Sequence, residues 1–254
     1  MKNIMIVDTE TTSAKVNPFC YDVGYIILDA ETGNVQKAEH FIIEQTWHNL
    51  PLFESAYYKE KRPLYVNLMR SRQAKMIKWG HMTQAMARDI KNYEVSGAYA
   101  YNSPFDDDVF TFNCNWFKTI NPFDNLPFYD IRGYANNFIT NKEEYKAFCE
   151  QYSLFTEKGG NYSATAEAVY RYISQETEFN EKHMGLMDCE IEAAILLWCL
   201  GHGAELNTEY SVTRIIYRMK KTPFTIKINS KVFYQGTYIK KFERNNVYNF
   251  TVGD

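Results

Sequence analysis

Asp8 and Glu10 stand one residue apart at the end of the apolar run Ile4–Val7. If that run is an extended strand, both side chains leave the same face with their Cα atoms about 6–7 Å apart, so two like charges are held side by side. A divalent cation held by oxygen ligands would relieve the repulsion; a strand end whose acids are simply solvated would also account for the pair. A second acidic group is NSPFDDD, Asn102 to Asp108. Ser103 and Asp106 have the spacing of a capping box, and acids in a first helical turn complement the helix dipole, which explains one acid and does not need three. The third group is HMGLMD, His183 to Asp188. On a continuous helix this spacing would turn the two side chains about 140° apart. Gly185 between them fits a loop carrying His183 and a helix whose first turn carries Asp188, both facing one cleft; Asp188 as a plain helix cap is the competing reading.

The elements that must position these residues alternate between strands and helices. KNIMIVD reads as a strand, and DVGYIILDAETGNVQKAEHFII as two strands joined by a turn at Gly33 and Asn34, which makes an antiparallel start. After a mostly polar stretch from Gln45 to Gly80, MTQAMARDIKNY places Met82, Ala85, Met86, Ile90 and Tyr93 at helical spacing. VSGAYAYN is a short strand. A helix then opens with Ser103 as cap and Pro104 at its first position, carrying the stripe Phe105, Val109, Phe112 and Trp116. FYDIRGYANNF is a strand leading into a helix, and SATAEAVYRYIS a helix capped by Ser163. DCEIEAAILLWCLGHG is a strongly apolar helix that should stop at Gly201 or Gly203. From Pro223 the pattern changes to three or four short strands.

The order of strand-end D-x-E, then N-x-x-F-D at a strand-to-helix junction, then H-x4-D entering an apolar helix resembles the DEDDh family of DnaQ-like 3′–5′ exonucleases, over about residues 1–205. YDVGYIILD is similar to that family's second strand, and FYDIRGYANN to the element before its third motif. The resemblance implies a ribonuclease H-like α/β fold: a mixed five-stranded sheet flanked by helices, spanning 1–208 with a basic and aromatic insertion at about 45–80. Residues 209–254 would be a small, basic, β-rich extension. Carried over residue by residue, the resemblance makes Asp8, Glu10, Asp106 and Asp188 the metal-binding carboxylates and His183 the general base. Thr9, Thr11 and Thr12 of the first motif, with Asn102 and Phe105 of the second, would meet the terminal nucleotide. Ser13 stands where the family often has Gly, Tyr101 where a His often precedes the Asn, and Gly185 where Ala is common. None of these removes an expected ligand or base, and all bear on the shape of the nucleotide pocket.

The chemistry so implied is hydrolysis of a phosphodiester at a 3′ end. Two hard cations about 3.5–4 Å apart can activate a water and steady the leaving oxygen, and oxygen ligands favour Mg²⁺ or Mn²⁺ over zinc. A histidine with an ordinary pKa near ~6.5 suits the proton transfer. The expected product is a nucleoside 5′-monophosphate released from single-stranded or frayed DNA. Trimming of RNA 3′ ends is the alternative, since discrimination at the 2′-OH lies in pocket shape. A catalytically silent nucleic-acid-binding or replication-partner docking protein is a third reading, though binding alone gives no reason to cluster four carboxylates against an anion.

Charge adds a second line of expectation. Lys59 to Lys78 carries seven basic residues (Lys59, Lys61, Arg62, Arg70, Arg72, Lys75, Lys78) with Tyr57, Tyr58, Tyr65 and Trp79 interleaved or flanking. Such a mixture can hold a single strand without sequence preference, with Arg70 and Arg72 as expected contacts; a solvated helical insertion whose aromatics pack inward is the alternative. The net charge of −3 divides into +7 over residues 211–254 and −10 before them. The basic segment suits an anionic partner or docking to a replication or repair protein, or is a solvated lysine face. The 254 residues are 45% hydrophobic, as in a folded protein, and the five cysteines form no C-x-x-C pair, which argues against a zinc site or a disulfide framework. The N-terminal apolar run is too short for a signal peptide, and no segment approaches the ~20 apolar residues that span a bilayer. A cytoplasmic protein without membrane contact is expected.

Overall fold

The structure, a computed structural model, describes residues 2–13, 17–156 and 160–212 in full and, beyond them, the backbone of three strands. By their internal contacts the residues fall into two units, Met1–Ile139 with Thr165–Val212, and Thr140–Ala164 with Thr213–Asp254.

The first unit opens with β1 (Asn3–Thr11), β2 (Cys20–Asp29) and β3 (Val35–Ile43), an antiparallel meander whose β2–β3 turn uses Gly33 at φ 72°. The insertion follows as α1 (Glu44–His48), α2 (Leu50–Phe53), α3 (Arg62–Arg70) and β4 (Lys75–Ile77). Then come α4 (Trp79–Asn92), β5 (Ala98–Ala100), α5 (Ser103–Phe117), β6 (Phe128–Asp130) and α6 (Ile131–Ala135). After α7 (Glu143–Gln151), which belongs to the second unit, α8 (Ala166–Ser174) and α9 (Gly185–Gly201) complete the first. The sheet is mixed, in the order β4-β3-β2-β1-β5-β6, with β1 antiparallel to β2 and parallel to β5. It has a sixth strand beside the expected five: β4 pairs with β3 over only three residues, too few to register as a pattern in sequence.

Central β1 is buried on both sides, which is why it reads as a continuous apolar run. Met5 and Val7 join Val23, Tyr25 and Ile27 in a core with Met82 and Met86 of α4 and Val109 and Phe110 of α5. The opposite face, with Ile4 and Ile6, meets α9, whose Cys189 Sγ lies 3.7 Å from the Ile6 carbonyl. That helix comes very close. A Cβ added to Gly24 would sit 2.0 Å from the Leu186 backbone nitrogen, and one added to Gly185 would sit 2.5 Å from the Gly24 nitrogen.

Two caps differ from expectation. Asn102, in the left-handed region at φ 69°, precedes α5, so Ser103 is already helical and no side chain caps the helix. The cap of α8 is Thr165, whose Oγ1 accepts the Ala168 N–H at 3.2 Å. Ser163 has its backbone N–H bonded to the Leu154 carbonyl.

In the second unit, β7 (Lys220–Ile228), β8 (Lys231–Phe242) and β9 (Tyr248–Val252) form an antiparallel sheet in that order. The basic charges expected to meet a partner there (Arg214, Arg218, Lys220, Lys221, Lys227, Lys231, Lys240, Lys241 and Arg244) lie outside the described side chains. Among the described residues no helix is long and apolar enough to cross a membrane, and all five cysteines are buried free thiols.

Candidate active site

β1 stays extended through Thr11, so Asp8 and Glu10 share a face, opposite Gly24 and Asp22 of β2. This is the face α9 covers. Because the helix settles on Gly24, its first turn delivers Asp188 to the same strand end. One ligand atom from each of Glu10, His183 and Asp188 lies within 4.8 Å of the others. Asp106 arrives from the first turn of α5, and its Oδ1 accepts the Thr9 hydroxyl at 2.7 Å.

Burial and mutual repulsion dominate the electrostatics of this cluster, with Lys61 the cation that pulls against them at Glu10 and Asp188. Burial raises the Asp8 carboxyl well above its ordinary range, and the charges of Glu192, Asp106, Asp188 and Glu10 push it further. Glu10 is raised by burial and then by Asp22 and Asp188, against the pull of Lys61. Burial carries Asp106 up to about 7 in spite of the bonds from Thr9, and burial with the Glu181 charge carries Asp188 up to about 8. Asp8 Oδ2, Asp188 Oδ1 and Glu192 Oε2 are buried without a hydrogen-bond partner. Buried ionised oxygens in that condition are costly unless a cation or proton meets them. An all-carboxylate set of this kind fits a hard divalent ion such as Mg²⁺ or Mn²⁺.

His183 precedes α9 in a left-handed conformation, φ 49°. Its ring stacks on Tyr58 at 4.6 Å between centroids and 12° between planes. Lys61 Nζ sits 3.7 Å from the centre of the same tyrosine ring and donates to the Lys182 carbonyl at 2.7 Å, pinning the loop that carries the histidine. Burial and the Lys61 charge hold the imidazole below its ordinary value. Tyr58 and Lys61 therefore reach the site from the insertion, where sequence reading saw only a basic, aromatic tract.

The remaining expected contacts are distributed differently. Tyr65 and Trp79 are fully buried in the cores, so the inward-packed alternative holds for these two, while Tyr57 is 83% exposed. Arg62 lies over the Trp47 and Phe53 rings, and Lys75 pairs with Glu39 at 2.6 Å. Arg70 ends α3 and Arg72 stands just after it, both exposed. Thr9, Thr11 and Thr12 are buried; the Thr9 hydroxyl is committed to Asp106, and that of Thr11 donates to the Ser13 carbonyl at 3.1 Å. Asn102 is exposed, with its N–H on Asp130 Oδ1 at 2.8 Å, and Phe105 is partly buried against the core.

Sequence reading also missed a buried pair beside the cluster. His40 Nε2 and Asp22 Oδ1 are 2.7 Å apart, and Asp22 Oδ2 accepts the Gly185 N–H at 3.0 Å, tying β2 to the start of α9. Burial works to lower the His40 imidazole, but the Asp22 charge and hydrogen bond prevail and raise it.

No protein-family model matches the chain, and no curated protein matches it. Solved structures do. The nuclease domain of 3′hExo, a DEDDh family member bound to rAMP, superposes with a TM-score of 0.55 at 13% identity, covering 83% of this chain and 98% of that one. A 3′-exonuclease solved in 3′-end-specific recognition of a histone mRNA stem-loop gives a TM-score of 0.54 at 12% identity, covering 80% and 83%. The chain has the fold of those nuclease domains.

Proposed function

We propose that this protein is a divalent-metal-dependent 3′–5′ exonuclease that releases nucleoside 5′-monophosphates one at a time from single-stranded or frayed 3′ ends. The observation that carries the proposal is the meeting of Glu10, Asp188 and His183 within 4.8 Å, at a strand end whose buried carboxylate oxygens lack partners. Asp8, Glu10, Asp106 and Asp188 would hold two Mg²⁺ or Mn²⁺ ions. When bound, such ions lower the pKa of a water and neutralise charge on the leaving 3′ oxygen.

The chain's own groups do the rest. His183 takes the proton of the attacking water, and its lowered pKa keeps it neutral, and so able to accept, at physiological pH. Tyr58 fixes the imidazole plane by stacking, Thr9 orients Asp106, and Asp22 anchors the helix start that carries Asp188. Lys61, held over the Tyr58 ring and on the Lys182 carbonyl, offers a cation to a substrate phosphate entering beside Glu10 and Asp188. Arg70 and Arg72 extend the basic path.

DNA is the first substrate reading. RNA is the second, favoured by the rAMP and mRNA stem-loop ligands of the two fold neighbours. Incubating 5′-labelled single-stranded DNA, double-stranded DNA and RNA with the protein and Mg²⁺ or Mn²⁺ should give a ladder shortened from the 3′ end that chelator abolishes, with the faster substrate identifying the sugar. Digestion of none of the three would overturn the proposal in favour of a silent nucleic-acid-binding protein.

A further inference from the structure

Glu192 lies one helical turn beyond Asp188 in α9 and is 3% exposed. Residues four apart on a helix share a face, so its carboxylate stands in the row that α9 turns toward the sheet. It accepts the Tyr101 backbone N–H just beyond β5. Its Oε2 is buried without a hydrogen-bond partner, as are Asp8 Oδ2 and Asp188 Oδ1. Among the neighbouring charges that act on Asp8, that of Glu192 is the largest, ahead of Asp106, Asp188 and Glu10.

A glutamine in this place would fill the same volume and still accept the Tyr101 N–H. What the carboxylate adds is charge, at a buried position where charge is costly unless a cation meets it. Like one oxygen of Asp8 and one of Asp188, two acids already proposed to bind cations, its Oε2 meets no donor, and it stands one turn from Asp188 on the same helix face. We infer that Glu192 is a fifth carboxylate of the metal centre, acting with Asp8 and Asp188 to strengthen divalent-cation binding. The inference rests on the metal-dependent reading above and deepens it. It assigns a binding role to a residue outside the D-x-E, N-x-x-F-D and H-x4-D motifs.

The test is Mn²⁺ binding to the full chain without nucleic acid, followed by electron paramagnetic resonance of the free ion and by the Mn²⁺-induced rise in Tm. Parent, E192Q, E192M and D8N are compared. The expected result is that E192Q weakens Mn²⁺ binding by about tenfold or more and shrinks the Tm rise, while its metal-free Tm equals or exceeds the parent's. E192M, which removes the acceptor as well as the charge, should bind Mn²⁺ as weakly as E192Q and gives the same readout should either fail to fold. If D8N weakens Mn²⁺ binding and E192Q binds like the parent, Glu192 is only the acceptor for Tyr101 and the inference is overturned. If D8N also binds like the parent, the metal centre itself is overturned and the inference falls with it.

Discussion

Two kinds of acid site lie side by side at the end of β1 and β2, and half-buried Glu10 of one faces buried Asp22 of the other across the strand pair. Asp22 has its partners within the fold: the His40 ring at 2.7 Å and the Gly185 N–H at 3.0 Å. Asp8, Asp188 and Glu192 have one oxygen each with nothing to meet. The first group fastens β2 to α9. The second keeps carboxylate oxygens that no donor among the described residues meets, the condition the proposed metal ions would relieve. Burial alone therefore does not single out a candidate ligand; burial without an internal partner does.

The largest effect should come from breaking the fastened pair. D22A or H40A leaves an uncompensated buried group, with an expected loss of about 3–5 kcal/mol of stability. Urea unfolding measures it, and added Mn²⁺ should not restore the His40 partner. A stability unchanged by either substitution would contradict the contrast. Next, D188N should lower 3′-end degradation on the order of 10²–10³-fold without lowering the Tm of the metal-free protein, because it removes a buried acid whose Oδ1 has no hydrogen-bond partner and which burial already raises to about 8. Substantial residual activity would take Asp188 out of the chemistry.

A smaller effect concerns pH. Folding raises Asp106 from 3.8 to about 7 and Asp188 from 3.8 to about 8, so between these limits the folded state binds more protons than the unfolded. Stability of the metal-free protein should then fall as pH rises from about 4 to about 8, by at most ~1.4 kcal/mol per pH unit for each group. A Tm lower by a few °C at pH 8 than at pH 6 is expected, with Mn²⁺ closing most of the gap. The raised His40 contributes a loss of the same sign that Mn²⁺ leaves in place. A Tm that rises with pH would reverse the reading of the acids. The smallest effect belongs to Tyr58. The lowered His183 pKa places the acid limb of kcat/KM below ~6.5; Y58A should move that limb upward and reduce kcat by about tenfold or less, with KM little changed.

Much of this was legible in the chain. β1, the β2–β3 hairpin, α5 and α9 follow from periodicity, and the order of the three acidic motifs singled out Asp8, Glu10, Asp106, His183 and Asp188 as the proposed ligands and base only through its resemblance to a known family. The Asp22–His40 pair was not, because it exists only through the register of β2 on β3 and the landing of α9. Glu192 has a signal in its spacing of four from Asp188, but nothing in the sequence separates it from Glu190, which is exposed. Tyr58 and Lys61 stand in a short-helix insertion with no period to tell which side chain faces the site. The bond from the Thr9 hydroxyl to Asp106 was not legible either, because it joins residues 97 apart that only the packing of α5 on β1 brings together.

The contact at Gly24 has a consequence for how this fold can change over time. Strand and helix touch there as bare main chain, with less room than one added carbon requires. The distance from Asp8 to Asp188 is thus held by backbone against backbone, and not by the sizes of the side chains around it. Core residues can be exchanged for others of similar volume without moving the acids, so wide divergence in the core leaves the acid spacing intact. A single methyl group at position 24 would act as a wedge, opening that spacing while every acidic and basic side chain remained in place.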